Sequence, residues 1–227
     1  MKLSKPLNRY FDHTLLKPEA TRIEIALLCQ EAMKHDFYSV CVNSCYADLA
    51  KKLLGTSNVK LTCVAGFPLG ACDTEAKRVE AEKACLNGAD EIDMVINIGA
   101  VKNDDYEYLQ NDISAVATIC HKHGAKLKAI IETCLLTDVE IKRVSRAAEK
   151  AGADFIKTST GFSTGGAKAE DIELIKKYVS KKTQVKASGG ISDLDTALEM
   201  IKAGADRIGA SKSVLIIKEY EKRNKKK

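Results

Sequence analysis

Ala151-Gly152-Ala153-Asp154 followed by Phe155-Ile156-Lys157-Thr158 decides the fold, because the same device occurs elsewhere in the chain. It returns at Ala203-Gly204-Ala205-Asp206 before Arg207-Ile208-Gly209, and at Asn87-Gly88-Ala89-Asp90 before Glu91-Ile92-Asp93-Met94-Val95. In each copy an amphipathic helical stretch ends at the glycine, which suits the left-handed position that closes a helix. The chain then enters a short β-branched run. A helix closing on Gly and feeding a strand is how successive βα units read.

Working outward at that rhythm predicts eight strands, near residues 9–15, 38–43, 60–66, 90–97, 126–133, 154–159, 184–188 and 207–210. Helices are expected over 21–35, 46–55, 74–87, 105–123, 137–151, 169–180, 193–203 and 212–222. Asp73 or Thr74, Asp104, Thr137 and Ser192 supply N-cap chemistry for several of them. Eight alternating units in 227 residues fit a single-domain (β/α)8 TIM barrel near its lower size limit. A doubly wound sheet is the alternative, but no Gly-x-Gly-x-x-Gly follows the first strand. With no linker or composition shift, one barrel over 1–221 and a basic, disordered tail over 222–227 are expected.

The composition narrows the class. The chain is 45% hydrophobic, which excludes disorder and fibrous repeats. No apolar run approaches the roughly 18 residues of a transmembrane helix, and residues 1–10 hold no signal-peptide core. A cytoplasmic protein without membrane contact is therefore expected. The net charge of +5 comes from Lys222, Arg223, Lys225, Lys226 and Lys227; without them 31 basic residues face 31 acidic ones. A neutral body argues against nucleic acid as a partner. The eight cysteines are scattered, and Cys120, His121 and His123 end a helix, where cations suit the dipole; no metal site is expected.

Strand parity sorts side chains into helix-facing and barrel-facing sets. Ile92, Met94 and Ile96 share one face of the fourth strand, and Leu127, Ala129 and Ile131 one face of the fifth. Packing these under the helices sends Asp93, Lys128, Glu132, Lys157 and Lys186 into the barrel. Buried charges are costly unless paired, so either an internal salt-bridge lattice, with Asp93 and Glu132 neutralising the lysines, or a reactive site is implied. A lysine near other cations loses its proton more readily, and a neutral amine attacks a carbonyl to form a Schiff base. Ser188-Gly189-Gly190-Ile191 and Gly209-Ala210-Ser211-Lys212-Ser213 follow the last two strands, where barrels of this type commonly bind phosphate. The residues thus point to imine chemistry on a phosphorylated carbonyl compound. They leave an aldolase, a transaldolase, an imine-forming dehydratase and a phosphosugar isomerase open, as well as a binding protein that has lost turnover.

The chain resembles the deoxyribose-phosphate aldolase family from about residue 9 to residue 213. The resemblance rests on Asp12-His13-Thr14-Leu15-Leu16-Lys17-Pro18, Val40-Cys41-Val42-Asn43, Gly66-Phe67-Pro68-Leu69-Gly70 and Glu91-Ile92-Asp93-Met94-Val95-Ile96-Asn97. It continues through Ile131-Glu132-Thr133, Phe155-Ile156-Lys157-Thr158-Ser159-Thr160-Gly161, Val185-Lys186-Ala187-Ser188-Gly189-Gly190 and Arg207-Ile208-Gly209-Ala210-Ser211. It implies a lyase of deoxyribose phosphate catabolism that reversibly cleaves 2-deoxy-D-ribose 5-phosphate to D-glyceraldehyde 3-phosphate and acetaldehyde, with no cofactor. It implies Lys157 as Schiff-base nucleophile, Lys186 as the neighbouring cation and Asp93 as proton-transfer partner. Asp12, Thr14, Cys41, Thr160, Gly189, Gly190, Gly209 and Ser211 are implied around the substrate. Lys212 and Phe162 depart from common family residues, and Tyr220 is not a terminal tyrosine and receives no relay role. Phosphorylated deoxysugar and small aldehydes are the expected partners, and a homodimer the expected assembly.

Overall fold

The Ala-Gly-Ala-Asp units explain themselves in the computed structural model, which describes residues 3–224. At the end of Asp138–Lys150, Ala153 N–H donates to the Ala148 carbonyl at 3.0 Å and Gly152 N–H to that of Glu149 at 3.0 Å. This pair is a Schellman closure, and it requires the positive φ of 96° that Gly152 adopts. Gly88 and Gly204 close their helices in the same way. The aspartate that follows has its own task. Asp90, Asp154 and Asp206 accept from the backbone N–H of Leu61, Leu127 and Val185 at 2.8–2.9 Å. Each repeat therefore stops a helix and clips the start of its own strand to the strand before it.

The strands are β1 (Phe11–Leu15), β2 (Ser39–Val42), β3 (Lys60–Ala65), β4 (Glu91–Val95), β5 (Lys126–Ile130), β6 (Phe155–Lys157), β7 (Gln184–Ser188) and β8 (Arg207–Ala210). They form a closed parallel barrel in chain order, with β8 returning to β1 through Phe11 opposite Ile208. The helices are α1 (Arg22–Lys34), α2 (Ala47–Leu54), α3 (Thr74–Leu86), α4 (Ile98–Lys102), α5 (Tyr106–Lys122), α6 (Asp138–Lys150), α7 (Ala169–Tyr178), α8 (Leu194–Lys202) and α9 (Ser213–Asn224). None is long and apolar enough to cross a membrane. Helix-facing strand residues such as Ile92, Met94, Leu127, Ala129, Val185 and Ile208 are fully buried in one continuous apolar core. Burying such side chains contributes about 1.5–3 kcal/mol each, and the conformational entropy of ordering the chain offsets most of it.

Several boundaries differ from the sequence expectation for local reasons. Residues Leu7–Tyr10 form a 3₁₀ turn, so β1 starts at Phe11. β4 stops at Val95 because the Asn97 side chain accepts from Ala100 N–H and starts α4, a helix the periodicity did not predict. β5 stops at Ile130, and Glu132 turns the chain with a left-handed φ of 51°. Asp105 and Asp193, not Asp104 and Ser192, cap their helices. The supposed tail is partly helix: α9 continues to Asn224, and Arg223 pairs with Asp195 and Glu219 at 2.5 Å each. Residues 225–227 of that expectation lie outside the described residues.

Candidate active site

The barrel interior is ionic. Asp93 on β4 receives Lys128 at 2.7 Å on Oδ1, and both Lys157 and Lys186 at 2.8 Å on Oδ2. Lys186 reaches sideways to Asp12 Oδ2 at 2.5 Å, an ion contact outside hydrogen-bond geometry. Arg207 on β8 joins Asp12 at 2.6 Å to Glu91 at 3.1 Å, and Lys128 closes on Glu91 at 2.6 Å. Ser39 and Thr62 donate to Asp12 and Glu91 and satisfy further lone pairs. All of these charged groups are buried.

Their proton affinities diverge. Burial disfavours the charged form of every one. At Asp93 the three ammonium groups overcome that cost and hold the carboxyl well below the usual range. At Lys186 burial is outweighed by Asp12 and Asp93, which raise its pKa, and at Lys128 by Asp93 and Glu91. Lys157 alone among these lysines is pushed down. Burial is the main cause, the Lys186 ammonium adds to it, and Asp93 only partly opposes it.

Lys157 is also the charged residue of this group that opens outward. It lines a cavity of about 230 Å³ at the C-terminal mouth of the barrel, together with Thr14, Thr160, Ser188, Gly189, Gly190, Gly209 and Ser211. These residues come from the ends of β1, β6, β7 and β8, where barrels of this class carry their chemistry. Gly209 faces inward on β8, where a Cβ would lie 2.9 Å from Lys186 Cε. Its bareness makes room for the lysine stem. Phe162 stands at the rim, in edge contact with Phe67 at 5.3 Å between centroids.

Not every residue expected at the substrate lines this cavity. Asp12 is fully buried one layer below, anchoring Lys186 and Arg207. Cys41 is sealed behind the wall, with Sγ 4.0 Å from Asp93, in a small apolar cluster with Leu16 and Val64. Burial raises its thiol pKa. Glu132 neutralises none of the three lysines; it lies beyond β5 and bonds Thr160. Lys212 is exposed beside a neighbouring cavity lined by His13 and Glu31. Tyr220 packs near Leu7 and His35, away from the residues of the mouth.

The comparisons with known proteins agree with this fold. The family of DeoC/LacD aldolases matches residues 8–214. The chain belongs to that family. It is 57% identical over 211 residues to the deoxyribose-phosphate aldolase of Finegoldia magna, covering 93% of this chain and 98% of that one. The deoxyribose-phosphate aldolase of Thermococcus kodakarensis is 54% identical over 94% of this chain and 96% of its own. Among solved structures, the aldolase QR15 superposes with a TM-score of 0.91 at 40% identity, covering 96% of this chain and 97% of that one. The protein is thus a lyase of the DeoC/LacD aldolase family.

In this family member, two inward residues escaped the parity argument as ionic partners. Glu91 sits on the same face as Asp93, which was the available signal. Arg207 opens β8, a strand whose remaining residues are too small and apolar to assign faces by contrast. Its partners lie 195 and 116 residues away in sequence, beyond any local pattern.

Proposed function

We propose that this aldolase works through a Schiff base on Lys157 and reversibly cleaves 2-deoxy-D-ribose 5-phosphate to D-glyceraldehyde 3-phosphate and acetaldehyde. The observation that carries the reading is the asymmetry among the buried lysines: Lys157 lines the cavity and has a lowered pKa, while Lys128 and Lys186 have raised ones. The relatives' name supplies the sugar.

The neutral amine of Lys157 adds to the substrate C1 carbonyl, and loss of water gives the imine. The protonated imine then accepts the electron pair of the C2–C3 bond as it breaks. The C3 hydroxyl loses its proton and becomes the aldehyde of glyceraldehyde 3-phosphate. The remaining enamine is protonated at C2, and hydrolysis releases acetaldehyde and restores the amine. Asp93 suits the proton transfers because its three cations are not permanent. When Lys157 is neutral, Asp93 keeps only Lys128 and Lys186, and its affinity for a proton rises. Lys186 stays charged beside Lys157 and sustains the lowered pKa. Backbone N–H groups around Gly189, Gly190 and Ser211 suit the phosphate. Phosphorylated deoxysugar and small aldehydes are the proposed partners, and two copies of the chain the proposed assembly.

Borohydride reduction in the presence of acetaldehyde should leave a two-carbon adduct on Lys157, read by mass spectrometry of the peptide. An adduct confined to Lys186, or none under turnover conditions, overturns the assignment.

A further inference from the structure

Helices α3 and α5 lie side by side, and one seam between them can be followed turn by turn. At its start Lys77 and Asp112, both fully buried, pair at 2.6 Å, and Thr74 Oγ1 donates to the same carboxylate at 2.8 Å. One turn on, Ala81 and Val116 are fully buried. After another turn Cys85 and Cys120 meet, thiol to thiol. Residues i, i+4 and i+8 fall within one stripe of a helix, so equal steps along two parallel helices keep the register that the ion pair sets. Buried Ala81, Ala84 and Ala117 are small, which favours close approach of the two helices. The sulfur contact therefore belongs to the seam and is not an isolated meeting of two side chains.

The two thiols are unequal. Cys85 is 8% exposed in the last turn of α3, whereas Cys120 is sealed at 0% in the last turn of α5. The Cys120 thiol donates to the Cys85 sulfur, which lowers the Cys85 pKa against the effect of burial and, together with burial, raises that of Cys120. A more acidic, more accessible thiol against a sealed one is the relation of an attacking to a resolving cysteine. We propose that Cys85 and Cys120 form a hydroperoxide-responsive thiol pair whose disulfide staples α3 to α5. The Cys85 thiolate attacks one peroxide oxygen, the O–O bond breaks, and Cys85 becomes a sulfenic acid. The Cys120 sulfur then displaces its hydroxyl, which leaves with the Cys120 proton as water. With hydrogen peroxide the sum is two thiols and one peroxide giving one disulfide and two waters; the sulfurs lose the two electrons that reduce the O–O bond. Both cysteines lie at the helix ends that lead into β4 and β5, at the opposite end of the barrel from the Lys157 mouth. The bond thus braces the wall without touching the cavity, and its test needs no substrate.

The test treats the reduced full chain with a small excess of hydrogen peroxide at neutral pH and maps its disulfides by mass spectrometry of non-reduced peptides. The peptides of Cys85 and Cys120 should be joined, and dithiothreitol should part them. The linked chain should unfold at a temperature higher by about 4 °C or more, because a cross-link between residues distant in sequence restricts the unfolded state. Peroxide should give no such rise in Cys85→Ser or Cys120→Ser. It should still do so in Cys63→Ser, whose neighbouring buried thiol takes no part. Mapping uses the wild-type chain and decides the pairing even where a variant fails to fold. A bond from Cys85 to Cys63, a Cys85 left free or over-oxidised beside an intact Cys120 thiol, or a linked chain with an unchanged or lower unfolding temperature overturns the proposal.

Discussion

Arg207 and Lys157 are two buried cations on inward faces of the same barrel, and their surroundings have opposite effects. Arg207 lies between two carboxylates, Asp12 and Glu91, with its guanidinium 3.3 Å from the centre of the Tyr38 ring. Burial works against its charge, but the carboxylates more than compensate and its pKa is raised. Lys157 has only a share of Asp93, which two other ammonium groups already occupy, and one face is open to the cavity. Burial alone therefore says little about function. The ratio of carboxylates to cations around each group separates a structural charge from a reactive one.

The largest effect should come from Lys157→Leu, which removes the proposed nucleophile: about a 10⁴-fold or greater loss of kcat, with the far-ultraviolet circular dichroism unchanged. Turnover within tenfold of wild type would place the chemistry elsewhere. Asp93→Asn should reduce kcat by about 10²–10⁴-fold and yet make Lys157 easier to deprotonate, because it removes the carboxylate that raises the lysine's pKa. Measured as the pH dependence of borohydride trapping, the midpoint should move down; an upward move would show that Asp93 does not act on Lys157 as described.

Arg207→Met inverts the pattern. It leaves Asp12 and Glu91 short of a cation and should cost about 3–5 kcal/mol of stability in urea denaturation, while acetaldehyde trapping at Lys157 persists. Loss of trapping in a folded variant would merge the two regions that the structure separates. The smallest effect concerns acid. Burial opposes ionisation of Asp12, Glu91 and Asp93, but neighbouring cations lower all three pKa values in the folded chain. Their contribution to stability is thus complete above the unfolded carboxylate range, about pH 4, and is lost as pH falls through the folded values. In Arg207→Met the folded values of Asp12 and Glu91 rise, so acid unfolding should begin at higher pH; an unchanged onset would show that the guanidinium does not hold those carboxylates ionised.

How much of this was legible in the sequence depended on distance along the chain. The barrel could be read because its punctuation is local: a Schellman glycine and a strand-clipping aspartate lie two residues apart and leave a repeated trace. The inward lysines could be read because alternation against Ile92, Met94, Leu127 and Ala129 is also local. Which lysine is depressed was not in the parity pattern, since it depends on which carboxylates arrive from β1 and β4. The family resemblance singled out Lys157. Glu132 was misread for a related reason. Strand parity was carried two residues beyond the end of β5, to Glu132, whose own positive φ breaks it, and no side-chain type announces that break.

The order in which these charges enter the chain has a consequence for biosynthesis. Lys157 leaves the ribosome before Lys186, whose ammonium helps to depress it, and before Arg207, which completes the circuit around Asp12. A nascent chain ending short of β7 carries Lys157 as an ordinary amine, protonated at neutral pH. The surroundings that lower the Lys157 pKa are complete only after almost the whole barrel has been made and closed. On the proposed mechanism, incomplete chains would by the same token be poor targets for stray aldehydes, their Lys157 amine being protonated at neutral pH.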